Sequence, residues 1–174
     1  MTSILTLYVC SANCWLFRVV FCVASLYRSH YTFKLEGMRS AEGIKSSTVA
    51  KAHVKLALLT DSLLRLQEAR KRLVSPQLVE TVMSNVFEGM QRLSPAARDR
   101  FPRLLELVAQ FPDTQARFTR MAKAVPSWMF IRWISQMMAV LDKPEAGAVV
   151  PILLEIAKSY PQALYYPFRI RYVT

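Results

Sequence analysis

Proline sets the terms on which this chain can fold. X-Pro steps fall at positions 76, 95, 102, 112, 126, 144 and 161, and the stretches between them carry apolar residues at three- and four-residue spacing. A proline lacks a backbone donor and biases the residue before it away from the helical region, so each step stops one helix and starts the next. The expectation is a run of amphipathic helices, each about ten to twenty residues long, joined by tight connections. Short connections between amphipathic helices give antiparallel neighbours. The expected fold class is therefore all-α, an α-solenoid of antiparallel helix pairs of the HEAT or TPR kind. No fixed repeat period runs through it, so the repeats would be irregular.

Individual stretches give the expected elements. Thr48 is placed to cap a helix over 49–73, with Val54, Leu58, Leu59, Leu63 and Leu66 inward and Lys51, Lys55, Arg65, Arg70, Lys71 and Arg72 on a solvated face. Ser75-Pro76 and Ser94-Pro95 each read as an N-cap followed by proline at the first helical position. Leu78, Val79, Val82, Met83, Val86, Phe87 and Met90 form the stripe of the first of these helices, and Phe101, Leu104, Leu105 and Val108 that of the second. A further helix is expected over 114–124. The most apolar one, over 128–141, should bury Trp128, Phe130, Ile131, Trp133, Ile134 and Met138 and leave Arg132 and Gln136 in water. A last helix over 146–160 runs into Tyr160-Pro161 and a Pro-rich closing turn, with Tyr165-Tyr166-Pro167-Phe168 packed back onto the preceding pair.

The first 47 residues have a different character. Ile4 to Tyr27 is apolar apart from Arg18 and a few small polar residues, long enough to span a bilayer, but with a charge inside it and no basic residue ahead of it. Three readings stand: a membrane anchor, a buried hydrophobic helix, or a stretch foreign to the rest of the chain, such as a misplaced translation start. From His30 to Ser47 the composition turns polar, with Gly37 and Gly43, and reads as a linker. Cys10, Cys14 and Cys22 all lie before that linker, which leaves no disulfide framework for the body and fits a reducing compartment.

Charge narrows the partners. The formal net charge is +11, but the excess is spread along the chain, with seven bases and two acids in residues 1–60 and sixteen and ten in residues 61–174. No stretch interleaves bases and aromatics on one face, so a free-standing nucleic-acid-binding protein is an alternative and not the first reading. Catalysis is poorly served. His30 and His53 have no Ser, Cys or carboxylate at a spacing that would orient them, and the four glycines are too scattered to cradle a phosphate. Glu106 and Glu155 fall on expected outer faces. No catalytic, cofactor-binding or metal-ligating residue is expected, and no cofactor.

The strongest pattern lies in the second half. Arg98-x-x-Phe101-Pro102-Arg103-Leu104-Leu105 is followed by Val125-Pro126-x-Trp128-x-Phe130-Ile131-x-Trp133-Ile134-Ser135 and by Val140-Leu141-Asp142-Lys143. Leu153-Leu154-x-Ile156 and Tyr160-Pro161-Gln162-Ala163-Leu164-x-Tyr166-Pro167-Phe168 close the series. These residues resemble the FAT region of the phosphatidylinositol 3-kinase-related kinases, in which an α-solenoid wraps a C-terminal kinase domain. The resemblance implies a FAT-like helical segment over 48–168, an unmatched segment over 1–47 and a divergent tail over 169–174. It further implies a non-catalytic scaffold piece of a nuclear kinase of double-strand-break repair by non-homologous end joining, present as a fragment. Its partners would be neighbouring FAT helices and the kinase domain, with DNA reached only indirectly. Contact with a membrane is not expected unless residues 4–27 insert, which would make the chain a small membrane-anchored helical protein.

Overall fold

The structure is a computed structural model that describes residue 19 and residues 22–38, 45–70 and 74–172. Among these residues there is helix and turn and no strand. Helix α1 covers residues 22–38. It is followed by α2 (Ser46–Ala69), α3 (Pro76–Gln91), α4 (Pro95–Arg98) and α5 (Phe101–Gln110). A 3-10 turn at Pro112–Thr114 leads into α6 (Gln115–Ala122), and a second 3-10 stretch, Ser127–Trp133, leads into α7 (Ile134–Met138). Helices α8 (Ala146–Ser159) and α9 (Pro161–Tyr172) complete the order.

The longest helices make the base. α2 and α3 lie antiparallel, as three matched pairs show: Gln67 beside Ser75, His53 beside Asn85, and Ala50 and Val54 beside Gly89. Leu63 and Leu64 of α2 and Val79, Met83 and Phe87 of α3 are fully buried between and above them. Each such side chain withdrawn from water contributes on the order of 2 kcal/mol, which is why the pair holds without long loops.

Leaving α3, the chain turns on one residue. Leu93 has a φ of 59°, the left-handed conformation usually left to glycine. The Leu93 N–H donates to the Met90 carbonyl at 2.9 Å and the Ser94 N–H to the Gly89 carbonyl at 3.1 Å, which together satisfy the end of α3 in a Schellman motif. The same Ser94 then caps α4, its Oγ accepting from the Ala97 N–H at 3.4 Å. Only Arg92 and Leu93 separate the end of α3 from the cap of α4. α4 is thereby drawn against α3, and a Cβ placed on Gly89 would stand 2.7 Å from the Ala97 Cβ.

Four fully buried phenylalanines join the remaining elements. Phe87 of α3 meets Phe118 of α6 edge-on at 5.2 Å between ring centres, Phe118 meets Phe101 of α5 at 6.0 Å, and Phe101 meets Phe130 of the second 3-10 stretch at 5.0 Å. Around this chain of rings Met129, Met137, Val149 and Ile156 close one continuous core. α1 sits apart, with Leu35 inserted among Val49, Ala52 and Leu56 of α2 in a small cluster of its own.

Several expected boundaries move. The linker expected over 30–47 is helical through residue 38, because Tyr31, Leu35 and Met38 pack on α2 and a single glycine near the end of a helix costs only about 1 kcal/mol. The apolar run 4–27 lies mostly outside the described residues. Thr48 is not a cap: α2 begins at Ser46 after Lys45, with no side-chain cap bond. The single helix expected over 128–141 is instead 3-10 and then a short α-helix, and Trp128 is 41% exposed while Ile131 is only half-buried. The closing turn is helix α9. Pro161 takes a place in its first turn, where the missing donor costs nothing, and Pro167 lies inside it. Its aromatics are not packed back, Tyr165, Tyr166 and Phe168 all being more than half exposed. Residues 169–172, assigned to a tail, continue α9.

The α3–α4 corner yields a paired expectation for thermal unfolding of the full chain. Leu93→Gly relieves the left-handed strain and raises stability by about 0.5–1 kcal/mol. Gly89→Ala has better helix propensity but drives a methyl into the Ala97 methyl, and it lowers stability by about 1–3 kcal/mol. Melting temperatures that shift in the same direction for both variants would contradict this account of the corner.

Candidate functional site

The buried polar groups are the natural place to look for chemistry. Arg103, in the first turn of α5, is only 11% exposed. Its Nε donates to the Asp61 Oδ1 at 2.8 Å, its Nη2 to both Glu68 carboxylate oxygens at 3.0 and 3.1 Å, and its Nη1 to the Glu106 Oε2 at 3.0 Å. Asp61 and Glu68 stand seven residues apart on α2, two helical turns, so one planar guanidinium reaches both. Burial by itself would lower the Arg103 pKa, but the hydrogen bonds of Asp61 and Glu106, the Asp61 charge and the Glu68 hydrogen bond together raise it above its ordinary value. Arg103 is a fixed cation that bolts α5 to α2.

His53 is 2% exposed at the α2–α3 seam. Its Nδ1 lies 2.7 Å from the Asn85 Oδ1, while the Asn85 Nδ2 donates to the Thr81 carbonyl at 2.8 Å. That carbonyl can only accept, so the Asn85 oxygen faces the ring and the His53 Nδ1 carries the proton. Glu88, 4.0 Å from the His53 Nε2, also pairs with Arg92. The third polar joint is half-buried Trp133, whose Nε1 donates to the Arg98 carbonyl at 2.9 Å. In a 3-10 helix residues three apart eclipse one another, so Phe130 and Trp133 form one ridge and meet Phe101 and Arg98, themselves three apart. This contact explains why the stretch is 3-10.

None of these groups forms a catalytic constellation. His53 is brought to an amide and a carboxylate and not to a nucleophile, and His30 lies exposed on α1. Glu106 and Glu155 sit on outer faces, each paired with a base three residues away, Arg103 and Lys158. Lys51, Lys55, Arg65 and Arg70 are exposed along α2, and Arg132 and Gln136 are exposed where the pattern put them. Among the described residues no cluster of His, Cys, Asp and Glu could hold a metal, and no helix is long and apolar enough to cross a membrane. Sequence reasoning missed the Arg103 cluster. Its signal was present in the seven-residue spacing of Asp61 and Glu68, but nothing local pointed to a base 42 residues after Asp61.

Polar side chains here join helices. Replacing Arg103 by Ala leaves Asp61 and Glu68 facing one another and costs about 2–3 kcal/mol, because the carboxylates lose a partly buried partner. Arg103→Lys keeps the charge but loses the fork and recovers less than half of that. Urea unfolding of the full chain measures both, and a loss under about 0.5 kcal/mol for Arg103→Ala would show the cluster to be an ordinary surface network.

No family model matches the chain. It is 38% identical over 136 residues, 73% of its length, to the DNA-dependent protein kinase catalytic subunit of Dictyostelium discoideum. It is 34% identical over 163 residues, 85% of its length, to the protein of the same name from Canis lupus familiaris. The second share exceeds what residues 48–174 make up, so that similarity reaches into the segment before Thr48. A shorter match, 47% over 45 residues, joins it to the TRA1 subunit of the SAGA and NuA4 acetyltransferase complexes of Saccharomyces cerevisiae. The chain spans only about 3–4% of the length of the kinase relatives and about 1% of TRA1. The part it matches is a short helical region and not a kinase domain. With helix and turn and no strand among its described residues, and with polar groups spent on joints, the chain is a homologue of one helical segment of the phosphatidylinositol 3-kinase-related kinase family.

Proposed function

We propose that the chain is a non-catalytic scaffold segment equivalent to part of the FAT region, with residues 48–168 as the scaffold unit and its helix pairs one stretch of an α-solenoid. The observation that carries this reading is the use made of the family-like residues. Phe101, Arg103, Phe130 and Trp133 all hold one helix to another, and none lines a site where a substrate would react. The match to TRA1 points the same way. A segment shared by proteins named as a kinase subunit and as an acetyltransferase-complex subunit is suited to support and not to either chemistry.

In this reading the partners are the flanking helices and kinase domain of a kinase of this family. The setting is the nucleus, in double-strand-break repair by non-homologous end joining, with DNA engaged through the rest of the protein. Residues 1–47 lead into the unit and residues 169–174 follow it.

A chimera tests it. With residues 48–168 in place of the matching segment, the Dictyostelium discoideum relative retains DNA-stimulated phosphotransfer, and the same chimera carrying Phe101→Ala loses most of it through a destabilised support. Fully buried Phe→Ala costs about 3–5 kcal/mol. The isolated chain gives no phosphotransfer with ATP, magnesium and DNA ends. An inactive chimera that is nonetheless folded and assembled, or activity in the isolated chain, would overturn the scaffold reading.

A further inference from the structure

Two of the nine prolines follow a serine, in Ser75-Pro76 and Ser94-Pro95, and none follows a threonine. Both serines have the same extended backbone, φ −72° with ψ 121° and φ −74° with ψ 120°. Their hydroxyls are used differently. The Ser94 Oγ accepts from the Ala97 N–H in a partly buried bond, and the Ser94 N–H closes α3 on the Gly89 carbonyl. The Ser75 Oγ makes no cap bond and instead donates to the Gln77 Oε1 at 2.6 Å, in solvent. A serine ahead of a helix normally contributes through that cap bond, so α3 does not depend on the Ser75 hydroxyl.

The chain around the two steps differs as well. Residues 70–75 connect α2 to α3, whereas only 92–94 connect α3 to α4. The Ser75 N–H is held by a side chain, the Gln67 Oε1 at 3.3 Å, and Pro76 and Gln77 are exposed after it. Directly before Ser94, Leu93 is left-handed, a conformation that an extended strand does not contain. In sequence Arg70, Lys71 and Arg72 stand five to three positions ahead of Ser75.

We propose that Ser75 is a phosphorylation site for a proline-directed serine/threonine protein kinase and that Ser94, in the folded chain, is not. Pro76 offers no N–H, so the enzyme must be one whose acceptor cleft needs no donor at that position. The Ser75 Oγ attacks the γ-phosphorus of magnesium-bound ATP. An O–P bond forms, the bond from that phosphorus to the β,γ-bridging oxygen breaks, and ADP leaves with the electron pair while the hydroxyl proton passes to the kinase's catalytic Asp. The product carries about two negative charges at neutral pH within five residues of three bases. A charge that can be added and removed then sits at the end of the α2–α3 base, whether or not the chain serves as a scaffold.

The test is phosphorylation of the folded full-length chain by an active proline-directed kinase of the mitogen-activated class with ATP and magnesium, each serine being read by mass spectrometry. Peptides of residues 69–82 and 88–101 give the rates without the fold. The two peptides react within about threefold of one another, while in the folded chain Ser75 reacts at least about tenfold faster than Ser94, which is reached only through local opening. Ser75→Ala removes this labelling and keeps the helical circular dichroism. A Ser75 peptide that the kinase refuses would overturn the proposal, as would a folded chain unlabelled at Ser75 or labelled there only in urea. Ser94 labelled as fast as Ser75, or a preference already present between the peptides, would overturn it too.

Discussion

Phe101 holds the molecule together. Its ring touches Phe118 on one side and Phe130 on the other, and through Phe118 the contact passes to Phe87 on the α2–α3 base. It ties the second 3-10 stretch into the same core that Phe118 of α6 shares directly with Phe87 of α3. Its backbone position follows from Pro102, which the first turn of a helix accepts without losing a hydrogen bond. The adjacent Arg103 then falls, by the geometry of that turn, over the two carboxylates of α2. One three-residue stretch therefore supplies a helix start, an aromatic hub and an ionic bolt.

The proline pattern made much of this legible. The starts of α3, α4 and α5, the inward stripes of α3 and α5, and the all-helical class follow from steps such as Ser75-Pro76 and Phe101-Pro102, because both the missing donor and the fixed φ act locally. What was not legible depends on distance. The 3-10 winding of Ser127–Trp133 answers to a carbonyl 35 residues back, at Arg98, and apolar periodicity alone reads the stretch as α. Tyr160-Pro161 reads equally well as a closing turn or as a helix start. His53 looked like an isolated histidine and Arg103 stood out only as part of a family-like pattern, since their partners come from other helices. The polar joints between helices were not legible.

Those joints account for the His, Asn, Arg and Trp groups drawn in from the surface. Each sits at a seam between two helices, and each has the geometry of its partner imposed on it: an amide on an imidazole, a fork on carboxylates, an indole on the last carbonyl of a short helix. Apolar packing tolerates sliding, whereas a directional bond does not. In a scaffold that difference fixes register between neighbours.

The corner at Ser94 has a mechanical meaning. Because this one residue finishes α3 with its N–H and begins α4 with its hydroxyl, there is no slack segment in which the angle between the two helices can change. Bending there breaks two hydrogen bonds at once and forces Ala97 off Gly89, so the corner behaves as a weld where a loop would behave as a hinge. A displacement applied to the α2–α3 base is carried through it to Phe101 and on to the far helices, and the segment passes on force while changing little in shape.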